Sequence, residues 1–343
     1  MRKISFSFLI LFLLAGLVLS GCASRKGTRG AEQPKKTPVP ITDSTGKKVE
    51  VLRPVEKVVT ITSGAAEIIY ALGGVEKITG RDSYSVFPEA LKKIPEVAGS
   101  SYSPNIELIM QSKPDVVIAD TMLKTENREK LETAGIPVLV MTTSGEDQET
   151  YRVIESLGII LDREQRAQEL VAFMRRYNDL IKAKTGNLPA GKKPLVFYEW
   201  SKPYFSASRQ LSSHARLELA GGINIAADEP VKSPTLTPEW VAEKNPDIIV
   251  RMASRGDTPE KMKALRDEIM NRPGLRKVKA VKEGKVYVTS WDIATGCRSV
   301  IGALYWAKWF HPQLFADLAP EAVHREMLKK FFNQELTKTY VYP

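Results

Sequence analysis

The sequence predicts an α/β protein of two similar lobes joined by one long helix. Three observations carry that expectation. From Lys57 onward, short Val- and Ile-rich runs alternate with helical segments, the signature of largely parallel sheets. The stretch Glu107-Leu-Ile-Met-Gln-Ser-Lys-Pro114-Asp115-Val-Val-Ile is echoed by Glu239-Trp-Val-Ala-Glu-Lys-Asn-Pro246-Asp247-Ile-Ile-Val. Between the echoing halves lies a single long amphipathic segment that begins at Asp162.

The chain opens with Met1-Arg2-Lys3, an apolar run from Ile4 to Leu19, and Ser20-Gly21-Cys22. A basic start, an apolar stretch and small residues before a cut are the parts of a secretory signal. The run falls short of the roughly 20 apolar residues that span a bilayer. Leu19-Ser20-Gly21-Cys22 resembles the lipobox of bacterial lipoproteins, in which the cysteine is lipidated and becomes the first residue, so 1–22 reads as a lipoprotein signal peptide with Cys22 as the lipid site. Residues 23–40 are polar, basic and rich in Pro and Gly, which predicts a flexible tether. Its cations suit anionic headgroups, and a plain solvated linker accounts for them equally well.

Of 343 residues, 50 are Lys or Arg and 40 are Asp or Glu, a formal charge of +10. Arg2 and Lys3, with Arg25, Lys26, Arg29, Lys35 and Lys36 against Glu32, supply more than half of that excess. Bulk basicity therefore points to membrane proximity and not to nucleic acid. With two cysteines and three histidines, a four-cysteine zinc site is impossible and a histidine-rich metal site is not expected. No cofactor is expected either.

After the tether, Ile41–Val51 forms two short extended runs around an Asp-x-x-Gly turn, a small hairpin. Strands are predicted at 57–62, 77–80, 115–119 and 137–141, and helices at 64–72, 105–112, 125–134 and 148–158. Asp162 is a candidate N-cap with Gln165 three residues on, and Gly186 supplies a stop. Ala167, Leu170, Val171, Met174, Tyr177 and Ile181 follow helical spacing. The rhythm resumes at Pro194-Leu195-Val196-Phe197-Tyr198. In both halves a Pro-Asp pair turns the chain from a helix into a buried strand, and Leu72-Gly73-Gly74 and Ala220-Gly221-Gly222 each close a helix before a strand. The organisation is a first lobe at 41–160, a linking helix at 161–187 and a second lobe at 188–343.

In open α/β sheets ligands bind beyond the carboxyl ends of the strands. That rule reaches Ser63 and Gly64, Arg81 through Tyr84, Asp120 and Thr121, Glu199 and Trp200, Arg251, and Trp291 and Asp292, with Tyr102, Tyr204 and Arg298 in nearby loops. The candidate ligand contacts are its aromatics and arginines, Arg81, Tyr84, Tyr102, Trp200, Tyr204, Arg251, Trp291 and Arg298. Aromatic rings offer rigid contact area and arginine a planar fork for anionic oxygens, so the set suits a sizeable, partly planar, partly anionic ligand. Local packing or ion pairing is the alternative for each. The methionines Met252, Met262 and Met270 read as core, and His214, His311 and His324 as surface or capping residues. No Gly-x-Ser-x-Gly elbow, His-Glu-x-x-His or Lys-bearing phosphate loop is present. Cys297 has a neighbouring arginine able to lower its pKa but no catalytic partner, and reads as a packing residue. An enzyme is not expected.

The lipobox, the hairpin, the Glu helix ending in Pro-Asp-Val-Val-Ile, the single linking helix, Leu219-Ala-Gly-Gly-Ile-Asn-Ile and Ser233-Pro-x-x-x-x-Glu together resemble the substrate-binding proteins of bacterial ABC importers. Gly296 through Leu328 is similar to the closing helices of the helix-linked class, which carries ferric siderophores, haem and corrinoids. The resemblance implies a periplasmic binding protein: two Rossmann-like lobes that grip a ligand and deliver it to a permease dimer with its ATPase. It implies that Glu107 and Glu239, one on each lobe, dock onto permease arginines. It also implies an extracytoplasmic, lipid-anchored location. Tyr84 looks like a corrin-contacting tyrosine, but Ser233 and Asp120 stand where cobalamin-binding members carry tryptophan. An iron chelate is therefore the expected cargo, with a corrinoid or an oxyanion such as molybdate as alternatives.

Overall fold

The computed structural model describes residues 36–144 and 147–343. The signal, Cys22 and the tether as far as Lys35 lie outside the described residues. Strands β1 (Thr37–Thr42) and β2 (Lys48–Arg53) form an antiparallel hairpin. It begins at Thr37, inside the segment expected to be tether. Pro38 and Pro40 are tolerated because an edge strand can point their missing N–H away from its partner.

The first lobe continues with β3 (Val58–Thr60), α1 (Ser63–Ala71), β4 (Ile78–Asp82), β5 (Glu96–Ala98) and α2 (Ile106–Gln111). It closes with β6 (Val116–Ala119), α3 (Thr125–Thr133), β7 (Val138–Val140) and α4 (Asp147–Leu161). Helix α5 (Glu164–Thr185) leads to the second lobe. That lobe holds β8 (Leu195–Glu199), α6 (Ser212–Leu219), β9 (Ile223–Asn224), α7 (Pro238–Lys244), β10 (Ile248–Ala253), α8 (Pro259–Asn271) and α9 (Lys279–Lys282). It ends with β11 (Val286–Ser290), α10 (Ser299–Phe310), α11 (Pro320–Met327) and β12 (Val341–Tyr342).

The first sheet has the order β5-β4-β3-β6-β7, parallel throughout. The second has the order β12-β11-β10-β8-β9, parallel except for the β11–β12 edge. Omitting β5 and β12, the two sheets share one topology, with the order reversing beside β3 in one and β8 in the other. Each inner strand is buried on both faces. Val58, Val116 and Ile118 face one core while Val59, Val117 and Ala119 face another. In the second lobe, Val196, Val250 and Met252 likewise oppose Phe197 and Ile249. This double burial is why these strands read as unbroken apolar runs.

Helix α5 has 22 residues, about 33 Å at 1.5 Å per residue. It buries Ala167, Leu170, Val171, Met174, Tyr177 and Ile181 in the core that both lobes share. Its start corrects the sequence reading. Asp162 adopts φ 58° between α4 and α5 and pairs with Arg53, leaving Arg163 as a cap without a side-chain bond. The ion pair to the hairpin competes successfully with capping.

The Pro-Asp echo has a mechanical meaning. Lys113 and Asn245, before the two prolines, both take left-handed φ (47° and 46°) and end their helices. Asp115 then accepts the backbone N–H groups of Glu56 and Lys57 at 2.8 and 2.9 Å, and Asp247 accepts that of Leu195 at 2.8 Å. Each carboxylate thus clamps the start of the neighbouring strand, β3 or β8.

Candidate ligand cleft

A cavity of about 1120 Å³ lies between the lobes at the carboxyl ends of the strands. Its first-lobe wall includes Thr62–Gly64 after β3, Asp82–Tyr84 at the end of β4, and Asp120 after β6. Its second-lobe wall includes Trp200 after β8, Arg251–Arg255 at the end of β10, and Trp291 and Thr295 after β11.

Five of the residues selected from the sequence meet here: Tyr84, Tyr102, Trp200, Arg251 and Trp291. Tyr84 and Tyr102 are 58% and 62% exposed. Trp200 stacks on Trp291 at 5.7 Å between centroids and on Phe205 at 5.5 Å, giving the second lobe a continuous aromatic wall. Arg251 is 6% exposed; its Nη2 donates to Ser201 O at 3.1 Å and its Nε lies 3.5 Å from Glu199 Oε1. Nη1 is buried without a hydrogen-bond partner among the described residues, so the guanidinium keeps unused donor capacity beside the cavity that the side chain lines.

Arg81, Tyr204 and Arg298 do not line the cavity. Strand β4 runs two residues beyond the expected end at residue 80, so Arg81 and Asp82 alternate across the sheet and only Asp82 faces the cleft. Arg81 instead donates to Ile94 O and Asp82 O at 3.1 and 2.7 Å. Tyr204, at φ 60°, stacks on Phe197 at 6.5 Å beneath the Arg272 guanidinium and joins the outer core. Arg298 is fully buried in a bidentate pair with Glu67, at 3.0 and 2.8 Å.

Arg255 escaped the sequence reading, whereas Asp82 and Asp120 were reached as strand-end positions but not selected as ligand contacts. Asp120 and Asp82 face the cavity, and burial pushes both carboxyls up, Asp82 to about 6. Arg255 lines the cavity, donates to Thr295 Oγ1 at 2.9 Å and lies 3.6 Å from Asp292. It was missed because β10 extends to Ala253, which moves the strand end three residues past Val250. Arg272 clasps the fully buried Glu199 and so fixes the end of β8.

None of the three histidines lines the cavity. His311 caps α10 and touches Gly221 O at 3.0 Å. His324, expected at the surface, is 1% exposed against Tyr340, and burial reinforced by Arg298 holds its pKa down to about 3. Cys297 is also buried, and burial followed by the Glu67 carboxylate pushes its thiol up despite the adjacent arginine. Among the described residues no group of three or more His, Cys, Asp or Glu is placed to hold a metal ion. Among them, too, no helix is long and apolar enough to cross a membrane.

Glu107 and Glu239 lie outside the cavity. Each is exposed at the second position of its helix, behind a side-chain cap: Asn105 accepts from Leu108 N at 3.1 Å and Thr237 from Trp240 N at 3.2 Å. Among the described residues neither forms an ion pair.

Comparison with known proteins agrees with this architecture. An uncharacterized ABC transporter substrate-binding lipoprotein of Bacillus subtilis, YvrC, is 28% identical over 315 residues, covering 89% of this chain and 96% of the relative. The iron-uptake system-binding protein of the same organism is 28% identical over 310 residues, covering 85% and 92%. The molybdate periplasmic binding protein MolA of Haemophilus influenzae has the same fold, with a TM-score of 0.76 at 20% identity, covering 88% of this chain and all of that one. The periplasmic binding protein family itself matches residues 58–292, and with two parallel-sheet lobes enclosing one cleft the chain belongs to that family of solute-binding receptors.

Proposed function

We propose that the protein is the extracytoplasmic receptor of an ABC importer, held to the membrane by lipid on Cys22, and that its cargo is an iron chelate. The observation that carries this reading is the cleft: about 1120 Å³, aromatic on both walls, with Arg251 and Arg255 on one of them. Sites for drug-sized ligands span about 300–1,000 Å³, so a single small oxyanion leaves this cleft largely empty. A ferric chelate offers flat chelating groups to the rings and anionic oxygens to the arginines. The iron-uptake relative in Bacillus subtilis supports the same class of cargo. Glu107 and Glu239 present one exposed carboxylate per lobe, a pattern suited to steering onto a pseudo-symmetric, basic permease surface.

Titration of the purified protein with ferric catecholate and hydroxamate chelates, haem, cobalamin and molybdate tests this, with tryptophan fluorescence as readout. Saturable quenching by a ferric chelate, with none from free iron, is the expected result. Saturation by cobalamin or molybdate alone overturns the choice of cargo, and silence across the panel overturns the receptor reading.

A further inference from the structure

The lobes meet through a buried ion pair directly behind the cavity. On the first lobe, Ser63 and Gly64 line the cleft, and Glu67, one helical turn along α1, is 3% exposed. On the second, Thr295 lines the cleft, and Arg298, three residues on, is 0% exposed. Arg298 Nε and Nη2 donate to the two Glu67 oxygens at 3.0 and 2.8 Å, and Cys297 Sγ adds a third donor at 3.3 Å. The guanidinium also lies 3.7 Å from the ring centroid of Phe87, a first-lobe residue. Beside the pair, Gly296 N donates across the junction to Thr143 O at 3.0 Å. The loops are in packing contact: a Cβ on Gly296, itself at φ +65°, would meet Glu67 Oε1 at 3.6 Å and Gly64 Cα at 3.7 Å, ordinary van der Waals distances.

We infer that Glu67 and Arg298 form an interlobe pin that sets the separation of the two cleft walls. They are positioning residues for ligand capture and do not touch the ligand. The geometry distinguishes this from generic core stabilisation: a planar fork on a carboxylate is directional, and both partners are rigidly joined to cleft-lining residues of opposite lobes. Replacing a buried ion pair by apolar residues of similar volume is often neutral for global stability. A pin and a mere core contact therefore predict different behaviour for E67L/R298M.

The test is hydrogen exchange of the Gly296 amide in the ligand-free full chain, with thermal unfolding alongside. For a pin, E67L/R298M unfolds near the wild-type midpoint while Gly296 exchanges roughly tenfold faster, reporting local opening of the junction. R298K, which keeps the charge and loses the fork, accelerates exchange less and serves if the double variant does not fold. Unchanged Gly296 exchange in a folded variant overturns the inference. The second arm rests on the proposed function: dissociation of a ferric chelate that binds the wild type should quicken by roughly tenfold, since interface changes act mainly on off-rates. Faster exchange with unaltered dissociation removes the positioning role. If no chelate binds even the wild type, the choice of an iron chelate as cargo falls while the exchange arm still decides the pin.

Discussion

The two lobes have the same scaffold and different cleft walls. Strands β3, β4, β6 and β7 correspond to β8, β9, β10 and β11, and in each lobe a left-handed residue, a proline and a clamping aspartate launch an inner strand. Yet the first lobe offers the cleft exposed tyrosines and the buried carboxyls of Asp82 and Asp120. The second offers stacked tryptophans and two arginines, steadied by the fully buried Glu199 and Arg272. The lobes share what builds a sheet and differ at the strand ends. The second wall is held together by stacking and ion pairs within its own lobe, whereas Tyr84 and Tyr102 have most of their surface in solvent.

That asymmetry can be broken most severely at Arg272. Arg272→Leu leaves Glu199 buried without its principal partner, and a loss of about 3–5 kcal/mol is expected in urea unfolding. No single residue of the first-lobe wall should match it. Next in size is ligand affinity. Trp200→Ala removes the middle ring of the Trp291–Trp200–Phe205 stack and should weaken chelate binding by about 2 kcal/mol or more, as a central aromatic anchor does. Tyr84→Ala, on the wall whose tyrosines are largely exposed, should cost about 1 kcal/mol. Equal losses in parallel titrations would erase the distinction between the walls.

The first lobe's acids give a subtler test. The Asp82 pKa is raised from 3.8 to about 6 in the folded protein, so its contribution is complete below pH 3.8 and is lost as pH rises toward 6. His324 acts oppositely, since its lowered pKa makes stability rise with pH between about 3 and 6.5. In the wild type the two slopes oppose each other. Asp82→Asn should stabilise the protein at pH 7 by about 1–2 kcal/mol and leave a steeper acid limb, measured by denaturation at several pH values. The smallest effect on the isolated protein is expected from Glu107→Ala with Glu239→Ala. Stability should change by about 0.5 kcal/mol or less and chelate affinity not at all, while transport in cells falls.

Much of this was legible in the sequence because burial on two faces writes itself as apolar runs and the helix–Pro-Asp–strand echo marks corresponding junctions. Strand ends were read less well. Extending β4 by two residues and β10 by three is invisible to hydropathy, yet it exchanges Arg81 for Asp82 at the cleft and adds Arg255. Arg298 shows a different limit. It stands near a strand end in sequence, but its partner Glu67 lies in the other lobe, 231 residues away, and no local pattern announces that pairing. Tyr204 likewise turns outward through a left-handed backbone conformation that no neighbouring glycine or asparagine signals.

In the proposed function, the second-lobe wall, with Trp200, Trp291 and Arg251, grips a ferric chelate between the lobes. Isothermal titration of one ferric chelate into wild type, Trp200→Ala and Arg251→Met tests it most directly. A single site per chain is expected, weakened at least tenfold in both variants while each keeps the wild-type fold. Binding of undiminished affinity in both would place the ligand elsewhere and contradict it.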